Sequence, residues 1–267
     1  MTAARADGAG PVQAVDRAIR ILQWLAGRPE GAGLSAIGRA VGVLPQTAQG
    51  LVRTLQARAL VQQSRAGGPY LVGPELARLA QAWEDPARRG AVAGDIVRRV
   101  ASETGESVIL VEWAGAALRL LAHSRAPQAL AVVDPLPPPE RLHAAATGQV
   151  LLAPLPEPEW RRRVGGPRLR RYGPGTLSSV AELRARLADV RERGAAVCRD
   201  ENGEHISAAA VPVRDGGGRV IAALGAAVPS VRFDAAAERR ILLRLRRAAA
   251  EIEAAWNGTA ARPRPRG

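Results

Sequence analysis

The sequence predicts an α+β protein in two domains, the first of them a winged helix-turn-helix. Three observations carry this. Residues 34–61, LSAIGRAVGVLPQTAQGLVRTLQARALV, divide into two short amphipathic helices around a break at Gly42. Two short apolar runs follow, one at Leu60 and Val61 and one at Tyr70, Leu71 and Val72, joined by the polar, Gly-rich QQSRAGG. Beyond residue 105, paired apolar runs alternate with amphipathic stretches. Hairpins joined to helices argue for a mainly antiparallel sheet rather than a parallel one.

The elements of the first domain, residues 11–73, follow in order. VQAVDRAIRILQWLA offers Val15, Ala18, Ile19, Leu22 and Leu25 as one apolar face and ends near Gly27 and Pro29. That helix supplies the core a helix-turn-helix needs. In the second helix Leu34, Ile37 and Val41 fall at helical spacing, with Ser35 placed as N-cap. Gly42 stands where a sharp stop needs a residue tolerant of positive φ. Pro45 suits the first turn of a third helix, where its missing N–H costs nothing. There Ala48, Leu51, Val52 and Leu55 make a buried stripe, and Thr47, Gln49, Gly50, Arg53 and Thr54 lie around the other faces.

By itself this fragment reads equally as an ordinary helical hairpin. Three helices followed by a short hairpin instead outline a winged helix-turn-helix, whose last helix enters the DNA major groove. Ser35, Gln46, Thr47, Gln49 and Arg53 are the expected DNA-binding residues, with Arg65 near the wing tip, where an arginine reaches phosphate or the minor groove.

Residues 74–104 hold the boundary. Leu76, Leu79 and Trp83 sit at helical spacing before a break at Asp85 and Pro86; the spacing resumes at Val92, Ile96, Val97 and Val100 and stops at Gly105. Residues 74–90 are read as a linker helix, and its apolar stripe as a surface for a second copy. A dimer would match paired half-sites on DNA. The second domain, residues 91–256, opens with SVILVEWAGAALRLLAHS, a hairpin about Ala114 and Gly115. A Pro-rich loop at residues 135–139 and a helix over residues 140–153 come next. Residues 179–193 are amphipathic through Val180, Leu183, Leu187 and Val190 and close at Gly194. Two strands, residues 206–213 and 219–228, are joined by Asp215 and three glycines, and a long helix covers residues 234–256.

Composition narrows the function classes. The 267 residues suffice for two domains that each bury a core. The longest apolar runs are broken by Arg, Gly or Pro, so no membrane span is expected. Residues 1–10 lack the apolar core of a signal peptide and read, like residues 257–267, as a disordered tail. One cysteine, Cys198, leaves no internal disulfide framework, and a cytoplasmic protein is the simplest expectation. A net charge of +13 invites a nucleic-acid partner, but every basic residue is Arg and the charge is spread: residues 161–171 carry six Arg and residues 239–247 five. Most of it reads as solvated surface.

Catalysis is the rival class. Its residues would be Cys198, Asp200, Glu201, Glu204 and His205 in CRDENGEH. One Cys and one His do not make a structural zinc site, which wants four ligands, and His123 and His143 lie on other elements. The glycines at 216–218 join strands and open no helix, so they are not a phosphate-cradling loop. CRDENGEH is read as a loop of solvated charges. The expectation is no enzyme, no metal and no cofactor.

The ordered set of segments resembles the IclR-type bacterial transcription regulators. QAVDRAIRILQWLAG, the helix-turn-helix and GPYLVGPELARLA are similar to that family's DNA-binding part. LHAAATGQVLLA at 142–153 and ISAAAVPVRDGGGRVIAALGAAVPS at 206–230 are similar to stretches of its second domain. The resemblance implies a GAF-like effector-binding domain, double-stranded operator DNA as partner, and dimers or pairs of dimers. It also implies an effector pocket between the small-residue helix and the last strands: Leu142, Ala146, Thr147 and Gly148, with Ala208, Gly225 and Ala227. Where members that bind small acids carry Cys and two Ser, this chain has Ala208, Gly225 and Ala227, and their Asp aligns cleanly with neither Cys198 nor Asp200. A small hydrophilic acid such as glyoxylate is therefore disfavoured, and a more apolar organic acid expected. Two alternatives stand: small residues that merely pack helix on sheet, or a ligand-independent regulator whose second domain only oligomerises. In the recognition helix, Gly50 replaces a common Arg, and Pro45 and Gln46 a Lys-Ser pair.

Overall fold

The computed structural model describes residues 12–83, 85–128, 130–132, 136–166 and 168–258. The expected tail at residues 1–10, most of that at 257–267, and Pro135 at the start of the expected loop lie outside them. The chain divides into two compact units, residues 1–85 and 86–267.

In the first unit, α1 (Gln13–Ala26), α2 (Leu34–Val41) and α3 (Pro45–Ala57) precede the strands β1 (Val61–Gln63) and β2 (Tyr70–Val72) and the helix α4 (Glu75–Trp83). The strands pair antiparallel with Gln62 opposite Leu71, and Ala32 bridges to Tyr70 as a third, single-residue rung. Ile21, Leu25, Ile37, Val41, Val52, Leu55 and Val61 form the core. Gly42 adopts φ 69°, and its N–H closes α2 on the carbonyls of Arg39 and Gly38. Pro45 opens α3 as expected.

Two expectations fail here. Gly33, in extended conformation, is the N-cap of α2, and Ser35 lies inside the first turn with no capping hydrogen bond. Glycine is tolerated at that position, and Leu34 rather than Ser35 carries the first helical φ and ψ. The buried face of α1 is also only partly the expected one: Leu25 is enclosed and Ala18 and Leu22 pack beside it, but Ile21 is enclosed too, whereas Val15 and Ile19 are 56% and 49% exposed. At 100° per residue Ile21 points about 200° from Ile19, so a core built on Ile21 turns Val15 and Ile19 outward.

The second unit opens with α5 (Pro86–Thr104), directly after the break. Then come the strands β3 (Ser107–Ala114) and β4 (Ala117–Ser124), a 3-10 turn (Pro139–Ala144) and α6 (Ala146–Leu152). After them come α7 (Glu157–Val164), α8 (Val180–Arg193), β5 (Ala196–Arg199), β6 (Ile206–Arg214), β7 (Val220–Pro229) and α9 (Ala235–Trp256). The five strands form one antiparallel sheet in the order β4-β3-β7-β6-β5. Helices α5 and α9 pack on one face, α6 and α8 on the other. The N-cap of α8 is Ser179, whose side chain accepts from the Glu182 N–H while the Glu182 carboxylate accepts from Ser178 N at 2.8 Å. That reciprocal capping fixes where the helix begins.

The expected helix over 140–153 is two pieces, because Ala145 is extended at φ −112°, ψ 133°. The turn then folds onto α6 so tightly that a Cβ at Gly148 would meet the Leu142 carbonyl at 2.2 Å. Two elements were not expected. Helix α7 carries Glu157 and Glu159 in its first turn and three arginines in its last, matching its dipole, and buries Trp160. Three of the six arginines in 161–171 therefore belong to a helix, with Arg163 3.3 Å from Glu159. The other is β5, discussed below.

Candidate functional site

On α3, Ala48, Val52 and Leu55 are buried, and Gln46, Thr47, Gln49, Gly50 and Arg53 are exposed. Gln46, Gln49, Gly50 and Arg53 stand at i, i+3, i+4 and i+7, one continuous stripe on the solvent side. Ser35 is exposed on α2, and Arg65 is exposed at the tip between β1 and β2. The tip is held by Ser64 N–H to Pro69 O at 3.1 Å and Gly68 N–H to Arg65 O at 2.8 Å. Among the described residues neither Arg53 nor Arg65 is tied into an ion pair, and neither are the exposed Arg39 and Arg58. A Cβ at Gly50 would meet nothing within 4 Å, so the middle of the stripe is bare backbone.

The second site is a small cavity between α6 and the sheet, of about 50 Å³. Side chains alternate across a sheet, so Ile109 on β3, Ala208 on β6, and Gly225 and Ala227 on β7 share the face turned to α6. Those four line the cavity together with Ala146 and Thr147. Gly225 permits the approach: a Cβ there would meet Thr147 Cγ2 at 2.6 Å.

Five of the seven expected effector residues thus converge: Ala146, Thr147, Ala208, Gly225 and Ala227. Leu142 and Gly148 do not line the cavity. Leu142 is wholly buried in the core, and Gly148 is spent on the packing against the Leu142 carbonyl. Among the other lining residues, sequence reasoning missed Ile109, Val132, Cys198, Asn202 and Ile206. Period-2 alternation along 107–111 could have flagged Ile109; nothing local flags Asn202.

Cys198 was expected in a loop of solvated charges. Instead it lies on β5, opposite Ala208, and is 2% exposed. Asp200 turns the chain at φ 53°, and Glu201, 3% exposed, is drawn inward. The Glu201 carboxylate accepts from Arg186 Nη1 at 2.8 Å and Gln149 Nε2 at 3.0 Å, which ties β5 to α8 and α6. Burial pushes the Glu201 carboxyl above its ordinary value despite the opposing pull of Arg186. Burial, reinforced by the Glu201 charge, likewise holds the Cys198 thiol well above its ordinary range. His205 projects into solvent beside Glu204. A neutral buried thiol and a solvated imidazole are not a nucleophile and its base.

His143 is buried, with Nε2 3.0 Å from the Arg170 carbonyl and Nδ1 without a partner. The carbonyl requires the proton on Nε2, and burial lowers the pKa. No helix among the described residues is long and apolar enough to cross a membrane.

Comparison with known proteins agrees with both halves. The model of the IclR helix-turn-helix domain matches residues 14–65, and that of the bacterial transcriptional regulator IclR C-terminal domain matches residues 90–254. An HTH-type transcriptional regulator of Mycobacterium tuberculosis is 31% identical over 226 residues, 84% of this chain and 85% of that protein. A crystal structure of an IclR-type regulator from a Silicibacter species superposes with TM-score 0.70 at 27% identity, covering 94% of this chain and 98% of the other. An IclR homologue from Microbacterium hydrocarbonoxydans, solved in complex with 4-hydroxybenzoate, covers 92% of this chain and 99% of its own at 26% identity and TM-score 0.56.

Proposed function

The chain belongs to the IclR family of bacterial transcriptional regulators, and we propose that it binds operator DNA through α3 and the β1–β2 wing under the control of a small organic effector held between α6 and the sheet. The observation that carries the DNA half is the solvated stripe Gln46, Gln49, Gly50 and Arg53 opposite the buried Ala48, Val52 and Leu55. Gln46, Gln49 and Arg53 read base edges, Thr47, Ser35 and Arg65 contact the backbone, and unpaired arginines displace counterions from phosphate.

The observation that carries the effector half is a cavity walled by Ala146, Ala208, Gly225 and Ala227. Such walls suit a ligand more apolar than glyoxylate. The Microbacterium homologue, which holds an aromatic acid, supports that size and character. No catalytic role is assigned, and the protein acts in the cytoplasm, where its DNA is. A dimer, itself able to pair, is proposed from the apolar side chains left in solvent: Leu79 on α4, 49% exposed, and Val15 and Ile19 on α1. Trp83, the third residue of the expected stripe, ends α4, and its side chain lies outside the described residues.

Gel-shift titration on the DNA upstream of the protein's own reading frame tests the assignment. Arg53→Ala should weaken binding by about 1–3 kcal/mol if the residue makes a bidentate base contact. Unchanged affinity in a folded variant removes Arg53 from the site. Thermal-shift screening against small aromatic and aliphatic compounds tests the sensor; a stabilising compound should also change the operator affinity. Light scattering that finds a tightly binding 28 kDa monomer would end the dimer proposal.

A further inference from the structure

The cavity wall is largely apolar, and one buried side-chain polar atom in it has no partner. Oδ1 of Asn202 is buried without a hydrogen-bond partner, and Asn202 lines the cavity. The orphaned His143 Nδ1 and Trp256 Nε1 belong to residues that do not. A buried acceptor left unpaired is costly, so it marks a place where something is missing.

The backbone that carries this amide is held in place. The Asn202 carbonyl accepts from Arg141 Nη1 at 3.2 Å, and the preceding carbonyl, of Glu201, accepts from Thr176 Oγ1 at 2.5 Å. The Glu201 side chain is held by Arg186 and Gln149. The backbone of the turn that presents Asn202 is therefore anchored by several independent bonds.

Charge decides the rest. Among the described residues lining the cavity there is no Arg, His, Asp or Glu. A carboxylate placed there would give up water with no countercharge, an expense that one hydroxyl such as that of Thr147 does not offset. On this ground the inference departs from the organic acid expected from the sequence.

We infer that the effector is an uncharged, largely apolar small molecule carrying a hydroxyl or N–H group, which donates to Asn202 Oδ1 while its body lies against Ile109, Ile206 and the alanines. The inference rests on the cavity being the effector site proposed above.

Calorimetric titration of the full-length protein with four ring compounds (phenol, anisole, toluene and benzoate) tests it. Phenol should bind tightest, anisole and toluene about tenfold more weakly for want of the donor, and benzoate weakest. Asn202→Leu, similar in size and apolar, should invert the preference for phenol over toluene. Where that variant melts too early to titrate, Asn202→Asp decides: it keeps an acceptor, so it should keep phenol ahead of anisole and bind benzoate still less. Benzoate binding tightest, anisole matching phenol, Asn202→Leu retaining the wild-type order, or no binding of any of the four at millimolar concentration would each overturn the inference.

Ala227→Leu, which fills the cavity, separates this from the parent reading. If wild type binds phenol and Ala227→Leu binds it equally, the site lies elsewhere and the effector assignment itself falls. If Ala227→Leu abolishes binding that is indifferent to Asn202, the cavity stands and only the role of Asn202 is lost.

Discussion

The recognition stripe of α3 and the cavity beneath α6 solve opposite problems. On α3 the functional groups stand in water, with Arg53 and Arg65 unpaired among the described residues and Gly50 leaving open backbone between them. Their partner, a polyanion, supplies the countercharge when it arrives. In the cavity the charged groups are kept back: Glu201 is engaged by Arg186 and Gln149 behind the wall, and what faces the ligand is Ala, Gly, Val and Ile with one hydroxyl, one neutral thiol and a single amide. A surface that must meet many phosphates can leave charge solvated. A pocket that must select one small molecule cannot leave charge buried and unpaired.

That contrast predicts where damage falls. The largest effect should come from the pairing behind the cavity wall. Glu201→Ala leaves the Arg186 guanidinium, 27% exposed, without its carboxylate. The cost should be about 3 kcal/mol, less than for a fully enclosed pair because water still reaches Arg186. Urea denaturation followed through a probe in the second unit measures it, and the first unit should be unchanged. A loss under about 1 kcal/mol would mean that the interior tolerates free charge much as the surface does, which dissolves the distinction.

Next in size is Ala227→Leu. Ala227 is 8% exposed and faces α6, so the added carbons must occupy the cavity or displace the helix. Overpacking should cost about 1–3 kcal/mol, and the ligand response should vanish with operator binding intact. If the variant is as stable as the wild type and still responds, the cavity is looser than its glycine contacts imply.

The two sites were also unequally legible. The stripe follows from period 3.6 alone: once Ala48, Val52 and Leu55 are inside, Gln46, Gln49 and Arg53 are outside. The αL stops at Gly42 and Gly194 were readable from residue type, because their causes are local. The cavity was readable only where small residues recur on α6 and the last hairpin. Strand β5 has little sequence signal, since Ala196, Val197, Cys198 and Arg199 include one β-branched residue and a charge; it exists because β6 offers an edge to pair with. Helix α7 hides for a similar reason, its seven other residues earning little and its place being set by the burial of Trp160. Asn202 was read as a solvated loop residue because the burial of Glu201 beside it depends on Arg186 and Gln149, distant in sequence.

A smaller effect tests the open surface from the other side. Gly50 has helical neighbours, and a Cβ there would touch nothing. Gly50→Ala should therefore stabilise the first unit by about 1 kcal/mol by propensity alone. Operator affinity should be unchanged if the stripe reads DNA through its long side chains. A fall of tenfold or more would show that bare backbone at position 50 approaches the DNA closely and that the glycine is functional rather than merely tolerated.

The smallest effect is a pH dependence confined to one unit. All three histidines, His123, His143 and His205, lie in residues 86–267. Burial depresses the pKa of His143 below its ordinary 6.5. A base whose folded pKa is depressed binds its proton more readily when unfolded, so its contribution is complete above about 6.5 and declines as the pH falls from there toward the folded value. The second unit should thus begin to lose stability below pH 6.5, before most carboxylates titrate, while the first unit should not. His143→Leu removes the titration, and the Arg170 carbonyl then loses its donor, so its absolute stability falls at every pH. The informative reading is the slope. Melting temperatures of the second unit at pH 7.5 and 5.5 should lie closer together in His143→Leu than in the wild type. Equal slopes would place the acid sensitivity in other groups and show that the buried imidazole costs the folded state nothing.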